Sequence, residues 1–317
     1  MSVDTVRELT LRHAVDSRPI WPEGFPQAFS FSGFPDFARQ FFYGLSLLRT
    51  GDDLATIADA LAATLAKQNV RYAEVTTTAF THFIGRDDRP GMSRTEYREG
   101  LNEGARRAAA RGVEIAWVID IPRDLEMPDQ TVTIEYLESQ ETPAGLVAIG
   151  LGGYEVGFPA APYRDHFARA RALGLGSVPH AGETEGADSV RQAVEVLGAS
   201  RIGHGVRCLQ DPAVVDLLIE RGIMLEVCPT SNDLLHVVAR IEDHPLRQLL
   251  QAGLKVCLNT DDPGWFATDL LTELNIASRL FGVEPEDHRR MQLDAVEASF
   301  LPAERKRAIQ TEITGYP

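Results

Sequence analysis

The sequence predicts an α/β barrel, in which parallel strands alternate with the helices that connect them. After about residue 50, short β-rich runs alternate with segments of helical periodicity. The 317 residues suit one barrel of this kind. Several helical segments also stop at a glycine just before a β-rich run, which connections from helix to strand favour. These glycines are Gly174, Gly198, Gly222 and Gly253.

Seven runs read as strands, one fewer than an eight-stranded barrel requires. They begin at Val70, Val113, Leu146, Leu175, Arg201, Ile223 and Leu254. The eighth strand would belong before the first helix, which we expect at about 3–14. Only Met1 and Ser2 precede that helix. The predicted fold is therefore a (β/α)8 barrel whose first strand is missing.

Two of the connecting helices carry start signals of their own. Asp52 and Asp53 precede an apolar stripe at helical spacing. The stripe consists of Leu54, Ile57, Leu61 and Leu65. Ser93 and Glu96 have the spacing of a capping box, and Gly112 would end the helix that they start. These signals support the alternation of strands and helices.

A Phe-rich segment at about 24–50 lies between the first helix and the first predicted strand. We expect it to form a short helical insertion, which either packs against the core or forms a lid over an apolar ligand. No linker or low-complexity segment divides the chain. We therefore expect residues 1–317 to form a single domain.

The composition argues against several classes of partner. A formal net charge of −15, with no basic stripe, disfavours binding to a nucleic acid polymer. The N-terminus is charged and no run approaches the ~20 apolar residues of a membrane span, so neither export nor membrane insertion is indicated. Cys228 and Cys257 lie in apolar runs and predict buried, reduced thiols, which favours a cytoplasmic protein. The sequence carries no signal for the oligomeric state.

Reactive side chains stand at the ends of three predicted strands. His180 and Glu183 end the fourth strand, and His204 ends the fifth. Asp261 and Asp262 end the seventh. Each alone has a structural explanation, because a histidine at a strand end is often hydrogen-bonded and Asp-Asp-Pro often caps a helix. In a barrel, however, these ends carry the active site, and together the residues supply the ligands, base and acid of a metal-dependent hydrolase.

The sequence lacks the residues that several other reactions catalysed by this fold require. Lys67, Lys255 and Lys306 are the only lysines and none ends a strand, which argues against a Schiff-base nucleophile or a lysine that bridges two metals. The run GLGGYEVG, from Gly150, does not match the G-x-G-x-x-G pattern of dinucleotide binding. Its glycines would instead let a planar ligand approach the backbone.

Four motifs occur in an order and spacing that resemble the adenosine deaminase family of metal-dependent hydrolases. They are VPHAGET, RIGHGV, CPTSN and LNTDDP, with weaker support from GLGGYE and FFYGLSLLRT. The resemblance runs over nearly the whole chain. It implies a (β/α)8 barrel that binds one zinc ion and hydrolyses the C–N bond of a cyclic amidine. In that reaction the 6-amino group of a purine is replaced by oxygen from water, and ammonia is released.

The resemblance also implies a role for each reactive residue. His180, in HAGE, would be a zinc ligand, and Glu183 would be the acid that protonates N1 of the purine, which makes C6 a better electrophile. His204, in GHG, would orient the water at the zinc and take its proton. Asp261 would complete the metal shell and assist that base. Asp262 would accept a hydrogen bond from N7, or share a proton with it.

One part of the family pattern is missing from this sequence. The family has a first strand with a His-x-His pair that supplies two further zinc ligands, whereas no two of the eight histidines here are separated by one residue. Because the missing strand and the missing ligands coincide, we expect the sequence to start too late, through a misassigned start or a truncation. His180 and Asp261 alone would bind zinc weakly. We expect His13 to be a surface or packing residue, not a substitute ligand.

The expected substrate is a small purine nucleoside or base, which Gly153 would contact through its backbone. Adenosine is the first choice. SVPHAGET and GGYEVGFP also resemble the branch that deaminates aminodeoxyfutalosine in menaquinone synthesis, and adenine stays open as well. The missing ligands leave a second class open, a degenerate and non-catalytic relative that binds purines or partners without a metal. Retention of the five reactive residues counts against that class.

Overall fold

The computed structural model describes residues 1–85, 90–124 and 127–315. Within them, seven strands form one sheet in the order of the sequence. The strands are β1 (Tyr72–Thr77), β2 (Glu114–Pro122), β3 (Leu146–Gly152), β4 (Gly176–Ala181), β5 (Arg201–His204), β6 (Met224–Val227) and β7 (Lys255–Leu258). Each overlaps one of the seven predicted runs, so the predicted strands are confirmed.

Every pair of neighbouring strands is parallel. The register is interrupted between Trp117 and Val118 of β2, where the pairing with β3 shifts. Among the described residues, β1 and β7 do not pair with each other. The curled sheet is therefore an open half-barrel and not a closed barrel. The fold is therefore that of a (β/α)8-type barrel that lacks one strand, as predicted.

Helices connect the successive strands. Those before β2 are α1 (Val3–Arg12), α2 (Phe34–Ser46), α3 (Gly51–Lys67), α4 (Ala79–Phe83) and α5 (Arg94–Ala110). Those between β2 and β6 are α6 (Met127–Leu137), α7 (Arg164–Ala172), α8 (Ala187–Glu195) and α9 (Pro212–Arg221). Those after β6 are α10 (Pro229–Leu234), α11 (Leu246–Gln251), α12 (Pro263–Phe266), α13 (Leu270–Phe281), α14 (Pro285–Ala298) and α15 (Ala303–Gly315). Each glycine predicted to end a helix lies after the end of that helix and has a left-handed backbone conformation. These glycines are Gly112, Gly174, Gly198, Gly222 and Gly253.

The start of α3 is one residue earlier than its acidic signal indicates. The helix begins at Gly51, and Thr50 and Asp53 form its capping box. Asp53 is fully buried and also binds two residues at the end of α1. Arg12 Nη1 lies 2.9 Å from Asp53 Oδ1, and His13 Nε2 lies 2.9 Å from Oδ2. His13 is therefore a packing residue that joins α1 to α3, as expected.

The capping box predicted at Ser93 is only half formed. The Ser93 hydroxyl accepts a hydrogen bond from the backbone N–H of Glu96 at 3.1 Å. The Glu96 carboxylate does not close the box but accepts from the backbone N–H of Gly51 at 3.3 Å. The two helices meet closely there, since a Cβ on Gly100 would lie 2.5 Å from the carbonyl oxygen of Gly51. A contact between α3 and α5 thus replaces part of the local cap.

The Phe-rich segment contains one helix, α2, and residues 24–33 before it contain no helix or strand. Its rings pack against the chain that follows β7. The centroids of Phe29 and Trp265 are 4.3 Å apart, and those of Phe37 and Phe266 are 5.2 Å apart. Phe29 and Phe37 are buried, and both also line the main cavity. The segment therefore packs as part of the core and borders the cavity at the same time.

A buried ion network links β1, β5 and β6. Arg201 Nε donates to Glu226 Oε1 at 2.6 Å, and the same guanidinium pairs with Glu74. Its Nη1 donates to the carbonyl oxygen of Ala298 at 2.8 Å, and the group lies 4.4 Å from the centre of the Phe300 ring. Because Glu74 is in β1 and Glu226 is in β6, the network connects the edge strand β1 to strands with which it does not pair.

The three cysteines are buried free thiols, as predicted for Cys228 and Cys257. Burial raises the pKa of the Cys208 and Cys257 thiols to about 12, so both are protonated near neutral pH. In the described part of the chain, no helix combines the length and the apolar character that crossing a membrane requires.

Candidate active site

Side chains from the ends of three strands converge at one place. His180 lies in β4, His204 is the last residue of β5, and Asp261 follows β7. His204 Nε2 is 3.7 Å from Glu183 Oε1 and 3.9 Å from Asp261 Oδ2. The ring centroids of His180 and His204 are 5.3 Å apart. The structure thus brings four of the predicted residues together at the carboxyl ends of the strands, where barrel enzymes carry their sites.

The other two predicted residues, Gly153 and Asp262, border the same cavity. The cavity has a volume of about 1960 Å³, and residues of the two edge strands, β1 and β7, are among those that line it. Gly153 has a left-handed backbone with φ of 87°, and a Cβ there would lie 2.5 Å from Asp124 Oδ1. Both observations favour glycine at this position.

Three of the converging side chains form a group that could hold a metal ion. The ligand atoms of His180, His204 and Asp261 lie within 4.8 Å of one another. Imidazole nitrogens and a carboxylate oxygen are donor types that zinc takes in proteins. The resemblance implies that His180 and Asp261 belong to the metal shell, and the geometry adds His204 as a third candidate ligand.

Two members of this group have a strained backbone. His204 has φ of 63° and Asp261 has φ of 53°, in the left-handed region. This conformation costs a residue other than glycine about 1–3 kcal/mol, so it persists only where the surroundings determine it. Both residues stand where a strand passes into its loop, and strain of this kind collects at functional sites.

Contacts with β2 and β3 orient His180. Its Nδ1 lies 3.2 Å from the carbonyl oxygen of Leu151 and 4.0 Å from Asp120 Oδ2. A proton on Nδ1 suits both acceptors and leaves the lone pair of Nε2 for a metal. Burial would lower the pKa of His180, but the nearby carboxylates of Asp120 and Asp261 raise it above its ordinary value. Arg123 Nη2 donates to the carbonyl oxygen of His180 at 2.8 Å, which fixes its backbone.

Asp120 also lines the cavity, although no sequence motif marks it as a site residue. It is buried against the glycines of β3, and burial raises its pKa to about 6. A Cβ on Gly150 would lie 1.7 Å from Asp120 Oδ1, and one on Gly152 would lie 2.5 Å from Oδ2. These glycines are predicted to let a planar ligand approach, but Gly150 and Gly152 make room for Asp120 instead. The aspartate is visible in the sequence, whereas its position opposite glycine depends on the register of β2 and β3.

Glu155 is a second missed residue, and it holds the loop that carries Glu183. Its carboxylate is 5% exposed and accepts hydrogen bonds from six groups. They are the backbone N–H groups of Gly182 (2.7 Å), Glu183 (3.1 Å), Thr184 (2.9 Å) and Glu185 (2.9 Å), and the hydroxyls of Thr184 (3.4 Å) and Ser189. Burial would raise the pKa of Glu155, but these donors hold it below its ordinary value. The only sequence signal is its place in the GLGGYE run.

Polar side chains of the CPTSN run lie behind the site. Ser231 Oγ donates to Asp261 Oδ2 at 2.7 Å. Asn232 Nδ2 lies 3.2 Å from His204 Nδ1, and its Oδ1 lies 3.2 Å from His244 Nε2. The motif is visible in the sequence, but nothing in the sequence points to His244 as its partner.

Burial changes the acid strength of two carboxyl groups in the site. Burial raises the pKa of Glu183, and the neighbouring charge of Asp261 adds to the effect against the opposing influence of His204. Burial and Asp261 together raise the pKa of Asp262 to about 7. A carboxyl group that stays protonated near neutral pH can donate a proton or a hydrogen bond.

The comparisons with known proteins agree in that each of them finds deaminases. The model of the adenosine deaminase family matches residues 1–316. An aminodeoxyfutalosine deaminase from Streptomyces avermitilis is 39% identical over 314 residues, which cover 98% of this chain and 86% of that protein. An adenine deaminase from Rhodospirillum rubrum is 35% identical over 280 residues, which cover 88% of this chain and 82% of that protein. The crystal structure of an adenine deaminase from Arthrobacter aurescens has a TM-score of 0.89 at 25% identity, covering 99% of this chain and 94% of that one.

Proposed function

Because the chain belongs to the adenosine deaminase family of hydrolytic deaminases, we propose that it replaces the 6-amino group of a purine nucleoside with oxygen from water. One observation carries the proposal: His204 Nε2 lies 3.7 Å from Glu183 and 3.9 Å from Asp261 in one cavity. This arrangement surrounds one point with a buried acid, an imidazole and a carboxylate, which are the groups that hydrolysis of an amidine needs.

The donor set fits a zinc ion. His180 and Asp261 would hold it, and their ligand atoms belong to the group within 4.8 Å. When bound, zinc lowers the pKa of water to about 7 and so supplies a nucleophile near neutral pH. A catalytic zinc takes three protein ligands as a rule. His180 and Asp261 would be two of them.

Glu183 is the acid of the proposed reaction. Burial raises its pKa, which favours the protonated carboxyl group that this role requires. Its proton moves to N1 of the purine while the water oxygen bonds to C6. The bond from C6 to the amino nitrogen then breaks. One proton of the water leaves with the amino group as ammonia, and the other restores the carboxyl group of Glu183, so the protons balance.

Asp262 and Gly153 position the purine. The pKa of Asp262, raised to about 7, lets this side chain share a proton with N7. Gly153 lines the cavity without a side chain, so its backbone can reach the base. These contacts hold the ring so that C6 faces His204 and Asp261, and the gain from such positioning is a large part of enzymatic rate enhancement.

Two observations support our proposal that aminodeoxyfutalosine is a better substrate than adenosine, and that both are better than adenine. The aminodeoxyfutalosine deaminase is 39% identical over 98% of this chain. Beside Gly153, Phe34 lines the cavity and its ring centroid lies 5.5 Å from that of Tyr154. Tyr154 and Val156 are 39% and 41% exposed. An exposed ring such as that of Tyr154, packed against the cavity-lining Phe34, suits a nucleoside with a further substituent better than a free base. We therefore propose aminodeoxyfutalosine first, whereas the sequence alone favours adenosine.

The test is ammonia release from aminodeoxyfutalosine, adenosine and adenine by the zinc-supplemented protein, compared by kcat/KM. Glu183→Gln is the control, because it keeps the shape of the side chain without the proton, and it should lower kcat by about 10²–10⁴-fold. We expect a preference for aminodeoxyfutalosine of about tenfold or more. A similar preference for adenine would overturn the substrate. If the parent protein released ammonia from none of the three compounds faster than Glu183→Gln does, the proposed reaction would be overturned.

A further inference from the structure

Behind His204, a chain of hydrogen bonds runs through Asn232 and His244 to the backbone of Leu246. We infer that this chain fixes His204 as the tautomer with its proton on Nε2, so that His204 donates a hydrogen bond into the site. Asn232 and His244 are then positioning residues for His204. The catalytic consequence rests on the proposed function, whereas the tautomer itself does not.

The chain begins at a group that can only donate. The backbone N–H of Leu246 lies 3.1 Å from His244 Nδ1, so this nitrogen accepts and carries no proton. A second proton on the ring would place two donors against each other. His244 is 1% exposed, and burial lowers its pKa to about 4. The ring is therefore neutral near neutral pH, and its one proton is on Nε2.

The orientation of the Asn232 amide follows from His244. The Nε2–H group of His244 donates to Asn232 Oδ1 at 3.2 Å, and Asn232 is fully buried. The reverse orientation would bring the amide NH2 group against the N–H of His244 and leave both donors without an acceptor. The NH2 group therefore faces His204 Nδ1 at 3.2 Å. Because an amide nitrogen only donates, Nδ1 of His204 accepts and carries no proton, so the proton of the ring is on Nε2.

This proton changes what His204 can do in the site. Its Nε2 is the nitrogen that faces Glu183 Oε1 at 3.7 Å and Asp261 Oδ2 at 3.9 Å. A nitrogen that already carries a proton has no lone pair for a metal and cannot take a proton from water. The candidate metal ligands among the described residues are then His180 and Asp261, as the resemblance implies. The role of proton acceptor that the resemblance implies for His204 does not agree with its tautomer.

His204 instead donates a hydrogen bond to the oxygen that attacks C6, where negative charge develops. The proton that leaves the water goes to the carboxylate of Asp261 and from there to the amino nitrogen, which departs as ammonia. The electron pair of the broken O–H bond stays on the oxygen and forms the bond to C6. The second water proton still restores Glu183, so the proton balance of the reaction is unchanged.

The direct test is ¹⁵N NMR of the histidine rings in the metal-free protein. The signals of each ring are assigned by their loss in His204→Gln and His244→Gln. We expect a pyridine-type Nδ1 and a pyrrole-type Nε2 for both rings, because these are the signatures of the Nε2–H tautomer. A pyridine-type Nε2 in His204 would overturn the inference.

Asn232→Asp replaces the amide group that donates to His204 with a carboxylate. A carboxylate only accepts, so the proton of His204 would move to Nδ1 and free the lone pair of Nε2. The nitrogen types of His204 should exchange, and zinc affinity, measured by competition with a chromophoric chelator, should rise about tenfold or more as a third ligand becomes available. Unchanged nitrogen types in this variant would overturn the inference.

Asn102→Asp is the matched control. It makes the same substitution on α5, where the Asn102 side chain accepts from the backbone N–H of Ala144 at 2.8 Å, a bond that aspartate can also accept. We expect neither the His204 signals nor zinc affinity to change in it.

The catalytic consequence has a separate readout. With zinc supplied, Asn232→Asp should lower kcat about a hundredfold and leave KM nearly unchanged, because the donor to the attacking oxygen is lost. Equal kcat in the variant and the parent would overturn this consequence. Failure of the proposed function would instead appear as no ammonia release by the parent protein, while its nitrogen types still match the expected tautomer.

Discussion

The carboxylate of Glu155 accepts a hydrogen bond from the backbone N–H of Glu183 at 3.1 Å. A buried anion after β3 thus holds the residue proposed as the acid after β4. The same carboxylate binds the N–H groups on either side of Glu183, so the loop turns around a single charge. This arrangement explains how a loop residue keeps a defined position relative to His204.

Replacing Glu155 with glutamine should destabilise the protein and slow the reaction. The amide has one acceptor oxygen and no charge, so several N–H groups of the loop lose their partner. We expect the free energy of unfolding in urea to fall by about 2–4 kcal/mol. Displacement of Glu183 should lower kcat about tenfold to a hundredfold. Glu138→Gln is the control, because Glu138 is exposed and pairs with Arg169 at the surface, and it should change neither quantity appreciably.

His244 should make stability depend on pH. Burial lowers its pKa to about 4, below the ordinary value of 6.5, so the unfolded chain binds more protons between these values. The contribution is fully present above pH 6.5 and is lost as the pH falls toward about 4, to a total of about 3 kcal/mol. Urea unfolding of the parent and of His244→Gln across this range measures it. If both proteins lose stability at the same rate, the histidine is not buried as a neutral ring.

Gly150→Ala should be destabilising because of Asp120. The new Cβ would lie 1.7 Å from Asp120 Oδ1, which forces the buried carboxylate to move. We expect a loss of about 1–3 kcal/mol in the free energy of unfolding. Adding Asp120→Ala should recover part of the loss, and a double-mutant cycle measures this coupling. Additive effects would contradict the contact. Gly222→Ala, where no atom of the described residues lies within 4 Å of the new Cβ, is the control for the steric contact.

Arg201→Met should cost more stability than the loss of any surface arginine. It leaves the partly buried carboxylates of Glu74 and Glu226 without their common partner, the buried Arg201, at a cost of about 3–5 kcal/mol. Arg305→Met removes an exposed pair with Glu114 and serves as the comparison. Thermal unfolding of both variants decides the point, and similar midpoints would show that the network adds nothing to stability.

The sequence was sufficient to predict the strands and most of the converging residues. Each strand is a local run, and residues such as Gly222 and Gly253 mark the turn before it with a left-handed backbone. His180 and Glu183 stand beside the end of one such run, so their location at the site follows from the position of the strand alone. For these residues, the local sequence pattern was enough to predict where they lie in the fold.

The residues that support the site could not be predicted in this way. Glu155 acts on a loop that follows a different strand, and His244 reaches His204 only through Asn232. The same reason explains the half-formed capping box, because Glu96 finds its partner on another helix. Partners that are distant in sequence leave no periodicity or spacing to read, whereas the folded structure brings them within hydrogen-bonding distance.

The most direct test of hydrolytic deamination at this site is the reaction in ¹⁸O-water. The zinc-supplemented protein is incubated with aminodeoxyfutalosine or adenosine, and ammonia and the mass of the purine product are measured together. We predict one ¹⁸O atom in the product for each ammonia released, and a large loss of both in Glu183→Gln, because the water oxygen becomes the oxygen on C6 and Glu183 supplies the proton to N1. Ammonia release without the label, or labelling that Glu183→Gln does not reduce, would contradict hydrolysis at this site.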